Sequence, residues 1–126
     1  MAKAEFLITR PAETDGEVTR EMHDRWIMNF MVYRTEAGED LKWSASFPLP
    51  QVGDRIRITM NGIGEAEVLG FFKEWGYVGV MTKALNPPKW LNDQREKERT
   101  ASNFNYLPAW RKEGIGCQFG AEIALL

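Results

Sequence analysis

Few side chains in this sequence could do covalent chemistry. It holds one histidine, His23, and one cysteine, Cys117. His23 sits in the charged run Glu21-Met22-His23-Asp24-Arg25. Acid–base work there would need a nucleophile or carboxylate brought to it through space. Its polar neighbours favour an exposed loop histidine. Cys117, between Gly116 and Gln118 and ahead of an apolar stretch, reads as a half-buried, inert thiol. One histidine, one cysteine and no paired-carboxylate motif supply no metal-ligand set. No GxGxxG, Walker A or GxSxG motif occurs. Gly62-Ile63-Gly64 falls in a hairpin loop, where glycine serves the turn. The expectation is no enzyme, no metal and no cofactor.

Binding chemistry is better represented. There are five tryptophans. Trp26 and Trp43 fall on inward strand positions and read as core. Trp75 falls at a turn, Trp90 at a helix start and Trp110 in an irregular stretch. Tryptophan is enriched at binding hot spots, although Trp90 also suits a plug for the end of a small barrel. Phe71, Trp75 and Tyr77 surround one hairpin tip, where aromatic rings can stack bases at about 1–3 kcal/mol each. An aromatic cage for a methylated side chain would need several of Phe71, Trp75, Tyr77 and Trp90 to converge. Residues 89–112 carry six basic and three acidic side chains, on a chain whose net charge is −2. With Lys73 and Lys83 these could supply phosphate contacts. The alternation Arg95-Glu96-Lys97-Glu98-Arg99 weakens that patch and equally suits a solvated helix. A protein partner is the first expectation, with an edge strand pairing to a second copy as one version. DNA or RNA is the second. The expected contact residues are Phe71, Trp75, Tyr77, Trp90, Arg95, Arg99 and Trp110.

Period-two alternation positions these residues. Ala4–Arg10 reads as a strand, Thr14–Arg25 as loop, and Trp26–Arg34 as a strand covered on both faces. Glu36–Asp40 reads as a hairpin loop, and Leu41–Phe47 as the return strand, stopped by Pro48 and Pro50. Arg55–Met60 alternates strictly, with Ile56, Ile58 and Met60 inward. A three-residue loop, Asn61-Gly62-Ile63, then sets Ile58 opposite Ala66, Ile56 opposite Val68 and Arg57 opposite Glu67. In the next strand Ala66, Val68 and Gly70 share a face. Tyr77–Lys83 follows, with Val78, Val80 and Thr82 together. Gly70 and Gly79, inside strand patterns, mark a bulge or a close backbone approach. Pro88 at the first helical position opens a helix near 88–99, with Asp93 and Lys97 spaced i,i+4. Thr100–Gly116 has no period, and a run that long without structure is itself a functional hint. Phe119, Ala121, Ile123 and Leu125 alternate inward in a final strand.

The strings Val52-Gly53-Asp54-Arg55-Ile56-Arg57-Ile58, Glu67-Val68-Leu69-Gly70-Phe71 and Gly76-Tyr77-Val78-Gly79-Val80 resemble the G-D-x-V-x-V…V-x-G pattern of SH3-like barrels of the KOW and Tudor type. The resemblance covers residues 52–83. It implies a small coiled barrel and a binding role without fixing the ligand. A longer series, adding Asn61-Gly62-Ile63-Gly64, Asn86-Pro87-Pro88-Lys89-Trp90 and Phe119-Gly120-Ala121-Glu122, is similar to small uncharacterised proteins of bacterial plasmids and mobile elements. That likeness implies a genomic setting and no catalytic residue.

The expected architecture is one mostly β domain over 1–126, an SH3-like barrel with an added N-terminal β-hairpin and one short helix. Its parts are N-terminal strands at 1–50, barrel strands at 51–86, the helix and irregular excursion at 87–118, and a final strand at 119–126. A chain of 126 residues, 44% hydrophobic, can bury one core without staples. Near-balanced charge excludes a polybasic clamp and a strongly acidic nucleic-acid mimic. A single cysteine and no leader-like or membrane-length apolar run imply a soluble protein of the reducing cytoplasm.

Overall fold

The computed structural model describes residues 5–7, 9–14, 31–102, 105 and 109–126. His23, Trp26 and most of the strand expected over Trp26–Arg34 lie outside the described residues.

A long hairpin forms the spine. β6 (Gly64–Glu74) and β7 (Tyr77–Ala84) pair antiparallel, closed by the two-residue loop Trp75-Gly76. The outer edge of β6 is shared by β5 (Arg55–Ile58) along its first half and β1 (Glu5–Leu7) along its second. The outer edge of β7 is shared by β4 (Asp40–Trp43) at Tyr77, in parallel, and by β8 (Gly116–Phe119) further on. β3 (Met31–Arg34) pairs with β4, and β2 (Ala12–Thr14) with β3. A single 3-10 turn, Gly120–Glu122, joins β8 to β9 (Ile123–Leu125), which pairs back onto β5. The result is one mixed nine-stranded sheet whose main path runs from β2 to β9 and is open at both ends.

Parity survives from the sequence; register does not. Ile56 faces Ala66 and Ile58 faces Gly64, two residues from the expected alignment. The loop is five residues because Asn61, Gly62 and Gly64 all take positive φ (54°, 68°, 81°) and Ile63 N–H closes on the Met60 carbonyl at 3.2 Å. Arg55 and Arg57 still meet Glu67 and Glu65, so charge cannot tell the two registers apart. Met60 consequently leaves the core and is exposed.

A register shift between Val68 and Gly70 matters more. A bulge adds one residue to one strand and reverses its side-chain alternation. Val68 and Phe71, three apart, therefore both enter the core, with Ile56, Val78 and Val80. Phe72 then faces the opposite side, buried edge-on against Phe119 at 5.2 Å between ring centroids. The core also takes in Tyr33, Leu41 and Trp43, so N-terminal and central strands share one interior. The Tyr33 hydroxyl accepts the buried Leu49 N–H at 2.8 Å, fixing the chain beyond Pro48.

The C-terminal run is broken rather than continuous. The Glu122 carboxylate accepts the Phe119 N–H at 2.9 Å and folds residues 120–122 into the 3-10 turn, which exposes Ala121. Leu125 is exposed as well, leaving Ile123 as the buried member of β9.

Helix α1 (Lys89–Thr100) starts one residue later than expected, with Pro88 at the N-cap rather than at the first helical position. It has no buried residue. Its half-buried positions Leu91, Arg95 and Glu98, at i, i+4 and i+7, define the face turned towards residues 111–116. A second short helix, α2 (Ala109–Lys112), lies within the stretch expected to be irregular.

Candidate functional site

Two surfaces present the expected binding chemistry, and they are separate. The first is the β6–β7 turn. Trp75 and Gly76 both have positive φ (55° and 79°), the signature of a type I′ loop. Trp75 is 62% exposed. The turn is tied from behind: Lys42 N–H donates to the Gly76 carbonyl at 3.0 Å, and Lys73 meets Glu39 at 2.6 Å. The aromatic cluster expected around it does not form. Phe71 is fully buried, turned inward by the bulge, and cannot stack on a ligand. Tyr77 is half-buried against Phe119, 6.1 Å between centroids.

The second surface is a groove between α1 and the chain from Arg111 to Gly116. Two adjoining cavities of about 160 and 180 Å³ make it up. Leu91, Gln94 and Ile115 line one end. Lys83, Arg99 and Lys112 line the other, and Arg95, Glu98 and Arg111 are common to both. Arg95 is set by its backbone neighbour. Its Nη2 donates to the Gly114 carbonyl at 2.7 Å, and its guanidinium carbon lies 3.2 Å from where a Cβ on Gly114 would stand. Glycine is favoured there by φ +76°, and a Cβ would also crowd the Arg95 guanidinium. Arg111 is held by Glu98 at 2.8 Å, and Arg99 pairs with Glu96 at 3.3 Å, rather than the expected Asp93–Lys97 pair forming.

Trp90 is 43% exposed and does not plug a barrel. It lines neither cavity of the groove, and stands one residue before Leu91, off the Leu91–Arg95–Glu98 face. Trp110 belongs to α2, and its side chain lies outside the described residues. The hairpin aromatics and the basic residues of 89–112 thus sit at opposite ends of β7, roughly 20–25 Å apart by strand rise. Sequence reading missed Glu98 and Gly114, because a carbonyl that seats a guanidinium from 19 residues away leaves no local signal.

No family model, curated protein or solved structure matches this chain. The geometry must carry the reading alone.

Among the described residues, no three His, Cys, Asp or Glu side chains converge as a metal site requires. No helix there is long and apolar enough to cross a membrane. Burial, and secondarily the Glu74 charge, push the Cys117 thiol up to about 11. In the unfolded chain a thiol ionises near about 8.5. The folded protein should therefore react with iodoacetamide at least tenfold more slowly at pH 8 than the urea-unfolded chain. The folded-state rate should climb until about pH 11, where the thiol titrates. Because the folded thiol holds its proton longer, the stability this confers is present below the unfolded pKa and lost as pH rises towards the folded one. Equal rates at pH 8 in the two states would refute this.

Proposed function

We propose that this chain is a non-catalytic, cytoplasmic binding module that engages a protein partner through the β6–β7 turn, with Trp75 as the anchor. The observation behind this is the conformation of Trp75. Type I′ loops favour Asn-Gly, and a bulky L-residue in the left-handed region costs about 1–2 kcal/mol. With 62% of its surface in solvent, Trp75 recovers little of that by packing. Strain retained at an exposed aromatic, on a turn clamped by Lys42 and the Lys73–Glu39 pair, suits a preorganised hot spot.

The scaffold in this proposal is an SH3-like barrel made of β5 to β9. The order β8-β7-β6-β5-β9 supports it, because the 3-10 turn carries β8 directly into β9 on the far side of β5. A Thr59 N–H to Glu122 carbonyl bond of 3.0 Å ties that turn to the end of β5. In this reading β1 to β4 are additions to the barrel, and α1 and α2 are an insertion between its third and fourth strands. A setting on a mobile element rests on the sequence strings quoted above.

The test is Trp75→Asn. Relief of the left-handed strain should raise unfolding free energy by about 0.5–1 kcal/mol in urea titrations. The same change should remove, from affinity capture, the proteins retained by the wild-type chain. A variant that loses stability, or that keeps the same partners, would overturn the anchor role.

A further inference from the structure

We propose that the cavity between residues 9–10 and 51–52 is a binding site separate from Trp75, and that it takes a carboxylate carrying a small apolar group. The cavity has a volume of about 460 Å³, within the usual range of roughly 300–1,000 Å³ for small-ligand sites. Thr9, Arg10, Gln51 and Val52 line it, with the buried Phe71 behind them.

The polar part of this lining consists of donors without partners. Arg10 is half-buried, yet among the described residues its guanidinium has no carboxylate partner and no hydrogen bond. Its one contact of this kind is the Tyr33 ring, 5.6 Å from ring centroid to guanidinium carbon. All five N–H donors therefore remain for an anion. The Thr9 hydroxyl and the Gln51 side-chain amide also have no partner among the described residues, and each can donate. No carboxylate lines the cavity. Asp54, which accepts the Gln51 N–H at 2.9 Å, stands outside the lining.

Both walls are set before any ligand arrives. Tyr33 is fully buried and its hydroxyl holds the Leu49 N–H at 2.8 Å, which fixes the ring beneath Arg10. The buried Pro11 keeps Arg10 extended. On the other side the Asp54 N–H donates to the Gln51 carbonyl at 3.0 Å, and the Gly53 N–H to the Val68 carbonyl at 2.8 Å. These bonds hold the 51–54 turn against β6.

The lining selects the ligand. One positive charge and no negative one suit a monoanion, so a carboxylate fits better than a doubly charged phosphate. Its planar pair of oxygens matches the arginine fork. Val52, 57% exposed, supplies an apolar wall beside them. A carboxylate next to a small apolar group is the chemistry of a peptide's C-terminal leucine or valine, and equally of a short branched-chain acid.

The experiment is a titration of the isotope-labelled whole chain with N-acetyl-leucine, followed by amide NMR. Saturable shifts should appear at Thr9, Arg10, Gln51 and Val52, with a dissociation constant of about 1 mM, the scale expected for so small a ligand. N-acetyl-leucinamide, which lacks only the charge, should bind about tenfold more weakly or worse. Arg10→Gln should weaken N-acetyl-leucine binding about tenfold or more, and Arg10→Lys, which keeps the charge without the fork, about threefold. Val52→Ser should cost about threefold. Lys97→Gln removes a charge from an exposed position of α1 and should change nothing. Urea titrations check that each variant is folded. If an Arg10 variant is not, the carboxylate-against-amide comparison on the wild-type chain decides alone. Acetyl-Ala-Ala-Leu and 4-methylpentanoate separate the two sources: tighter binding of the tripeptide assigns a peptide terminus, and equal binding assigns a free acid. The absence of saturable shifts at these four amides up to about 20 mM would overturn the site. So would equal binding of the leucinamide, or undiminished binding to a folded Arg10→Gln chain. The Trp75 reading is untouched by any of these results.

Discussion

Gly79→Ala should lower the unfolding free energy by about 3 kcal/mol, at the upper end of what overpacking a core costs. For a chain of this size that is a fall of about 10–15 °C in midpoint. The reason is space, since Gly79 needs no unusual φ. A Cβ there would meet the Phe72 ring, with the Gln118 carbonyl of β8 at 2.6 Å on the other side. The ring has nowhere to go: Phe72 is 1% exposed and packed edge-on against Phe119. The carbonyl cannot yield either, because Gln118 is paired with Val80 in the ladder. Shortening the ring in a Gly79→Ala, Phe72→Leu double variant should recover part of the loss, because the two sites share one volume. Full additivity of the two losses, or a midpoint within 2 °C or so of wild type for Gly79→Ala, would show that β7 and β8 are not packed across this position.

That glycine illustrates what the sequence could and could not convey. A glycine inside an alternating run announces a bulge or a close approach, and Gly70 and Gly79 prove to be one of each. Which ring lies over Gly79 depends on a neighbour in another strand. The same holds for register. Ile56, Ile58, Ala66 and Val68 fix which face is buried, since a period of two is local. A slip of two residues leaves that face and the arginine–glutamate complementarity intact, so only the positive φ angles at Asn61, Gly62 and Gly64 decide it. Phe71 was legible as a hairpin aromatic and is a core residue, because one extra residue at the bulge inverts every later position of β6. The mostly β character and the helix at 89–100 follow from local patterns. β2 has three residues and too short a period to be recognised. In the groove, Arg95 and Arg99 stood out by charge. The Gly114 carbonyl and Glu98 that seat the arginines did not, because such partners are specified by tertiary approach alone.

Trp43→Ala should be the most damaging single truncation, at about 3–5 kcal/mol, against a total stability of about 5–15 kcal/mol for a domain. Among the described residues Trp43 is the largest fully buried side chain. Its indole N–H donates to the Phe47 carbonyl at 2.8 Å, and its ring meets Phe47 edge-on at 6.1 Å. Removal thus opens a cavity and orphans an acceptor at once. The consequence should not stay local. The core that Trp43 joins also holds Ile56, Phe71 and Val80, so unfolding should remain one cooperative transition shifted to lower urea. Trp43→Phe, which keeps an aromatic ring but cannot donate, should cost clearly less and separates packing from the hydrogen bond. Hydrogen exchange supplies the sharper reading. Lys42, one residue before Trp43, donates its N–H to the Gly76 carbonyl and so braces the Trp75 turn. In Trp43→Ala the Lys42 amide should lose protection before the amides of the β5–β6 ladder do. If Lys42 exchanges no faster than that ladder, the brace behind Trp75 does not depend on the Trp43 core, and the rigidity of the anchor must come from the Lys73–Glu39 pair and the loop itself.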